Sequence, residues 1–573
     1  MSPASRGPVR IANASGFYGD RLTALREQLE GGDIDYVTGD YLAELTMLIL
    51  GRDQLKDTSL GYAKTFLEQL RDCLGTAVER GVRIVSNAGG LNPAGLAARI
   101  KHLAREAGVV VSVAHVDGDD LRSVATQFGF GQTLTANAYL GAFGIAEALH
   151  RGADIVVTGR VTDASLTIGP AIAAHDWGRT DFDRLAGALV AGHVLECGSQ
   201  ATGGNFSGFD ELTPGLRAGF PIAEIAADGS SVITKHPGTG GAVTVDTVSA
   251  QLVYEIGSPA YLNPDVVAHL DTVRVEQDGA DQVRIHSTRG SAPPPTAKVC
   301  LNHLAGYRNS ADFVLTGLDV ERKAALVRRQ LTDALSTDPP QSVIWQLDRV
   351  AESDPATQWA ATSLLRCHVR DEREAPVGRA FSSAVVELAL ASYPGFTTTR
   401  PPSRATPFGV YRAAYVEQDL VPHRVTVDGE TLQIAAPLQT MPAESPTPPM
   451  PPAAYDGPTV RAPLGAVAYA RSGDKGGDAN IGVWIPAAQP HRDLGYAWLV
   501  GLLTPDRLHE LLPESRELAI DVWPLPNLHA VNVVIHGLLG EGVAASTRFD
   551  PQAKALGEWL RARVVDIPEG LLL

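Results

Sequence analysis

Over the first 175 residues, short apolar runs alternate with longer stretches whose apolar positions recur every three or four residues. That exchange between the period of a strand and the period of a helix predicts βα units feeding a mostly parallel sheet. Strands are expected at residues 9–12, 34–37, 82–85, 109–114 and 155–157, with helices over 41–50, 63–79 and 138–151. From about residue 192 to 434 the pattern changes to hairpins at 223–234, 273–286 and 424–434, each turning on Asp-Gly, and an α+β region is expected there. Helices are expected within it at 320–335 and 383–391. Prolines crowd residues 437–458, where they favour extended chain over helix or central strand. After them, alternation predicts strands at 466–470, 481–485, 519–523 and 531–536 and helices at 505–512 and 551–564. The expected organisation is a core of residues 1–436, a proline-rich linker at 437–458 and a small α+β domain at 459–573. Within the core, residues 1–175 are expected to form a Rossmann-like sheet with helices on both faces, and residues 192–436 the α+β part.

The polar residues gather just past the ends of the expected strands. Asn13, Asp40, Asn87 with Gly89 and Gly90, the segment His115-Val-Asp117-Gly-Asp119, and Gly159-Arg160 all fall at carboxyl ends. In open α/β sheets that edge gathers loops and helix N-termini with free N–H groups, so ligands bind there. Ordinary turn and cap residues are the alternative for any one loop. In Ala153–Ser165 a buried strand runs into a helix. Arg160 there can fork onto a carboxylate or phosphate, Asp163 can position it or move a proton, and Ser165 lies in the first helical turn. A second cluster holds Glu196 and Cys197, candidate base and nucleophile, followed by Gly203, Gly204 and Asn205. A third, Lys235-His236-Pro-Gly-Thr-Gly240-Gly, offers an anion cradle with His236 as a proton carrier. Past the linker, Arg471-Ser-Gly-Asp474-Lys475-Gly-Gly-Asp-Ala-Asn480 reads as a polar turn over a ligand or interface.

Composition narrows the class. The net charge is -17, the hydrophobic share 44% and the charged share 20%. Basic residues are scattered, so a nucleic-acid partner has no electrostatic footprint. Cys73, Cys197, Cys300 and Cys367 form no CxxC pair, which fits a reducing cytoplasm. No apolar run approaches eighteen residues, so neither a targeting segment nor a membrane span is expected. His115, Asp117, Asp119 and Asp120, and His193 with Glu196, match no established metal spacing. GxGxxG after the first strand, a Walker A loop, HExxH and GxSxG are all missing, so no metal or cofactor is expected.

The segments IANASGFYGDR, VTGDYLAELTML, SNAGGLNP, ADIVVTGRVTDASL, LECGSQATGGNF and KHPGTGG, in this order, resemble the acyclic terpene utilization AtuA-like family. RSGDKGGDANIGV and LPNLHAVNVVIHGLLGEGV resemble that family's C-terminal ferredoxin-like domain. The resemblance implies a pathway that degrades branched acids through CoA thioesters. The expected function is a cofactor-independent lyase or hydro-lyase acting on a branched small acid or acyl-CoA, by hydration, dehydration or carbon–carbon cleavage. The alternatives are a non-catalytic acyl-CoA-binding or carboxylase-associated partner, and a thioesterase using Cys197 or a water activated by Glu196. A homo-oligomer is expected from the size and apolar content.

Overall fold

The computed structural model describes residues 7–212, 217–348, 351–352, 354–442 and 455–572. Of the expected linker, residues 443–454 lie outside these. Two compact units result: residues 1–302 together with 411–573, and residues 303–410.

The first unit is built on an eleven-stranded sheet. Strands β1 (Val9–Asn13), β2 (Tyr36–Gly39), β3 (Arg83–Ser86) and β4 (Val113–Asp117) are nearly continuous buried runs, as strands covered on both faces must be. β5 (Thr135–Ala138) leaves this sheet to pair antiparallel with residues 299–302. β6 (Ile155–Thr158) returns to it between β3 and β4. The order β1-β2-β3-β6-β4 is parallel throughout. On one side β7 (Pro221–Ile225) and β8 (Ser231–Lys235) continue it antiparallel, followed by the hairpin Arg274–Gly279/Gln282–His286. On the other side the hairpin Arg424–Val427/Glu430–Gln433 docks on β4.

The expected Rossmann-like sheet is therefore corrected to a mixed one. Five parallel strands form its middle, and the hairpins of the expected α+β region complete its flanks instead of standing apart. One glycine makes the β4 flank possible. Gly118 has φ +102°, and a Cβ there would run into the carbonyl oxygen of Pro422. Gly118→Ala is expected to cost about 2–3 kcal/mol through strain and displaced backbone, visible as a lowered thermal midpoint; an unchanged midpoint would show that the hairpin does not need this close approach.

The C-terminal segment forms a four-stranded antiparallel sheet, ordered Tyr469–Lys475, Asp478–Trp484, Ala530–Ile535, Ile520–Leu525, with helices Arg492–Leu502, Pro505–Leu511 and Leu556–Arg561. It shares a hydrophobic cluster with the large sheet through Tyr469, Trp484, Leu525 and Ala530. The Trp484 indole donates to Asp246 Oδ1 at 3.1 Å, and Glu255 N donates to Asn480 Oδ1 at 2.7 Å.

In residues 303–410, the strands Ser342–Asp348 and Thr362–Asp371 pair antiparallel with each other, and the second of them with residues 307–316. Helices Val320–Ala334 and Arg379–Glu387 pack with them around Phe313, Leu365, Cys367 and Phe381. Among the described residues no helix is long and apolar enough to cross a membrane.

Candidate functional site

The loops at the carboxyl edge of the parallel strands first hold themselves. After β1, Ser15 N donates to Asn13 Oδ1 and Asn13 Nδ2 to Ser15 O, both at 3.0 Å, closing an Asx-type turn. After β2 and β3, Asn87 Nδ2 donates to Asp40 Oδ1 at 2.6 Å, and Tyr41 N donates to Asn87 Oδ1 at 2.8 Å. A Cβ on Gly89 would strike the Thr158 carbonyl, and one on Gly90 would meet Leu50 and Gly61. These two glycines serve close packing of the loop.

Arg160, directly after β6, is the hub. Its backbone N–H donates to Asp119 Oδ2 at 2.8 Å, and Asn137 Nδ2 donates to the same oxygen at 2.7 Å. Burial nevertheless pushes the Asp119 carboxyl up to about 7. The guanidinium lies 4.4 Å from the centre of the Tyr139 ring. Its Nη1 donates to Leu42 O at 3.1 Å and to Asp163 Oδ1 at 2.8 Å, while its Nε is buried with no acceptor. Glu44 completes this charge group, accepting from the Tyr139 hydroxyl at 2.8 Å with Lys298 Nζ 3.7 Å away. Against the cost of burial, Lys298 and Arg160 hold Glu44 down to about 2. Asp163 goes the other way. Burial, with the charges of Glu44 and Glu255, raises its carboxyl despite Arg160. Asp40 is raised well above the usual range, by burial and by Asp163.

A second wall comes from the buried helix Phe182–Leu195. His193 Nδ1 and Glu196 Oε1 are 2.9 Å apart, and the imidazole packs 4.8 Å from the Tyr261 ring. His193 Nε2 and Glu196 Oε2 are buried with no partner. Burial raises the Glu196 carboxyl against the pull of His193, with Asp163 and Glu255 adding to the rise. Burial, then the Glu255 and Glu196 charges, push the Cys197 thiol well up. It is a thiol at neutral pH, and a thiol is a poor nucleophile.

The third wall is the C-terminal domain. The expected loop over residues 471–480 is corrected to two strand ends meeting at Gly476-Gly477, because the ladder Tyr469–Lys475/Asp478–Trp484 runs to the turn. Strand geometry thus sets Asp474 and Lys475 beside Glu255. Lys554 Nζ lies 3.1 Å from Glu255 Oε1 and 3.4 Å from Asp474 Oδ1. Burial, then the charge of Glu255, raise Asp474 to about 6. These groups are enclosed by protein and still reached by water: about a third of the Asp163, Glu255 and Lys298 side chains is accessible (34% each). They line a charged, partly accessible recess at the edge of the sheet.

Asp40, Arg160, Asp163, Glu196, Cys197, Asp474 and Lys475 are brought together there. Ser165 stands at its margin, its hydroxyl 2.6 Å from that of Thr162. Asn205 and Asn480 join the core to the C-terminal domain, Asn205 O accepting from Arg471 Nη1 at 2.9 Å. Gly203, with φ +103°, packs against Leu212, and Gly204 against the Ser199 carbonyl. Lys235, His236 and Gly240 are engaged elsewhere. Lys235 pairs with Asp281 at 3.0 Å, His236 Nε2 meets Gln28 O at 3.0 Å, and Gly240 bridges Ala218.

Glu44, Tyr139, Glu255, Tyr261, Lys298 and Lys554 also belong to the recess; Glu44 sits unremarked inside the segment VTGDYLAELTML, and the other five carry no motif in the sequence. Among the described residues no group of three His, Cys, Asp or Glu is arranged to hold a metal ion. Asp117 is matched to Arg424 at 2.7 Å and Asp120 to Arg122 at 2.6 Å. Two clefts open nearby, one lined by Gly90–Ala94, Asp117–Asp120 and Arg424, the other by Tyr139, Arg179, Asp265 and His423. Neither is lined by Asp163, Glu196 or Glu255; the first takes in Asp119, whose carboxyl is held by Arg160 N and Asn137.

Compared with known families, the chain matches the family model of the acyclic terpene utilisation family protein AtuA over residues 9–427 and that of the AtuA ferredoxin-like domain over residues 462–566. No curated protein and no solved structure matches it.

Proposed function

Because the chain belongs to the AtuA family of acyclic terpene utilisation, we propose that its recess adds or removes water, or cleaves a carbon–carbon bond, in a branched small acid or its acyl-CoA thioester. One observation carries this reading: a carboxyl pushed toward its neutral form, Asp163, held 2.8 Å from a buried guanidinium and open to water. A carboxylic acid that stays protonated nearer neutrality can give a proton to a departing hydroxyl. A guanidinium in a low-dielectric site stabilises the negative charge that grows on a thioester or carboxylate oxygen as the adjacent C–H bond breaks. In carbon–carbon cleavage the ionised form of Asp163 would take the proton of the hydroxyl on the bond's far carbon, that carbon becoming a carbonyl while the bond's electron pair forms the enolate that Arg160 stabilises. The protonated Cys197 speaks against a cysteine thioesterase.

Mass spectrometry of the full chain incubated with branched 3-hydroxyacyl-CoA and enoyl-CoA thioesters tests the proposal. The expected result is a mass change of one water, or two acyl fragments, absent with Asp163→Asn. Thioesters bound but returned unchanged would replace it with the reading of an acyl-CoA-binding partner protein.

A further inference from the structure

Of the 48 basic residues only eight are lysines. Three of those eight, Lys298, Lys475 and Lys554, face the recess. An arginine holds its proton under all biological conditions, whereas a lysine releases its proton when its surroundings disfavour charge. A chain that uses arginine almost everywhere thus places three of its few lysines where protons would move.

The three lysines are not equivalent. Lys298 lies 3.7 Å from Glu44, and Lys554 3.1 Å from Glu255. Among the described residues Lys475 makes no carboxylate pair. Its Nζ donates to the backbone oxygen of Glu255 at 2.7 Å and stands 5.8 Å from the centre of the Tyr261 ring. Its side chain is reached by water. Burial and the charge of Lys298 lower its pKa, against Glu255, Glu44 and Glu196. The ladder to Asp478 and the two-glycine turn fix where the side chain starts.

We infer that Lys475, carried by the C-terminal domain into the recess, is the base that takes a proton from the substrate. This rests on the reading that the recess adds or removes water. In the dehydration direction the C–H bond beside the thioester carbonyl breaks and its proton goes to the neutral Nζ. The electron pair forms the C=C bond as the C–O bond to the hydroxyl breaks, and the hydroxyl leaves with the Asp163 proton as water. Lys475 ends as an ammonium and Asp163 as a carboxylate, so charge balances across the pair. The C-terminal domain is thereby part of the catalytic machinery.

Trace acetylation of the full chain with acetic anhydride near pH 8, read lysine by lysine by mass spectrometry, tests this without any substrate. Each pKa unit below the ordinary lysine value raises the free-amine fraction about tenfold. Lys475 is therefore expected to label faster than Lys323, and Lys298→Ala is expected to slow it by restoring the proton. Lys475→Arg, which keeps the charge and cannot accept a proton, is expected to lose turnover by at least about a hundredfold. Labelling of Lys475 no faster than Lys323, or wild-type turnover by Lys475→Arg, overturns the assignment. A reactive Lys475 in a protein inert toward every thioester would instead overturn the reaction proposed above and leave the basic amine established.

Discussion

Alanine in place of Arg160 is expected to destabilise the protein by about 3–5 kcal/mol near neutral pH, the cost of taking the buried countercharge away from the carboxyls around it, the ionised Glu44 among them. Arg160 is only 2% exposed. Its guanidinium is the positive charge acting on Asp163 and Asp40 and, with Lys298, on Glu44. Without it these carboxylates stay buried with too little countercharge, so Asp40 and Asp163 rise further. A carboxyl whose folded pKa exceeds its unfolded value binds more protons folded than unfolded. Its stability contribution is therefore present in acid and lost as pH rises through that interval. The deficit of Arg160→Ala should be smallest near pH 4 to 5 and grow toward pH 8. The wild type should already soften between about pH 4 and 7, because over that interval the unfolded chain gives up the Asp119 proton while the folded protein, with this carboxyl pushed up to about 7, still holds it. Urea unfolding at pH 5 and pH 8 checks both slopes. Arg160→Lys should recover part of the stability but not the twin donation to Leu42 and Asp163. A deficit independent of pH would mean that Arg160 acts by packing on Tyr139 and not by charge.

The parallel middle of the sheet was legible in the sequence because each of its strands is a buried run ended by a polar residue. Its flanks were not. The hairpins at Asp228-Gly229, Asp278-Gly279 and Asp428-Gly429 announce which two strands pair with each other, but nothing local says which edge a hairpin will dock on. β5 was missed just ahead of an expected helix over 138–151, which it meets only at Ala138, since Ala136-Asn-Ala138 has little strand propensity and owes its conformation to residues 299–302. Likewise Arg471–Lys475 reads as a loop from its glycine and charges, and is a strand because its ladder partner extends equally far.

At the site the same limit recurs. Arg160 and Asp163 sit on one strand exit and show as a motif. Glu255 and Lys554 are 299 residues apart and meet only because the C-terminal domain docks through Asn480 and Trp484. The signal that could have found the third wall was compositional: where lysine is this rare, each one outside an exposed helix is a candidate. The cradle at Lys235 and His236 looked as chemical as the carboxyl edge of the parallel strands, yet Asp281 and Gln28 already occupy both side chains.

Asparagine at position 163 is the sharper test of mechanism, because it separates turnover from folding. The substitution keeps the shape and an oxygen that can accept from Arg160 Nη1, and it removes a carboxyl whose charge is disfavoured by burial and by Glu44 and Glu255. Stability should therefore change by less than about 1 kcal/mol, as near-isosteric changes that leave hydrogen bonds paired usually do. Turnover should fall by about a hundredfold to ten-thousandfold, the usual worth of a positioned acid or base. The pH profile carries the sign. If protonated Asp163 is the acid, wild-type turnover declines as pH rises through its raised pKa, and this decline is missing from the residual rate of the variant. Glu196→Gln is the control, since that carboxyl is also raised but is tied to His193. Should Glu196→Gln remove the pH limb and Asp163→Asn leave it, the acid belongs to the His193–Glu196 pair. Arg160 would then orient the substrate while the proton comes from the opposite wall of the recess.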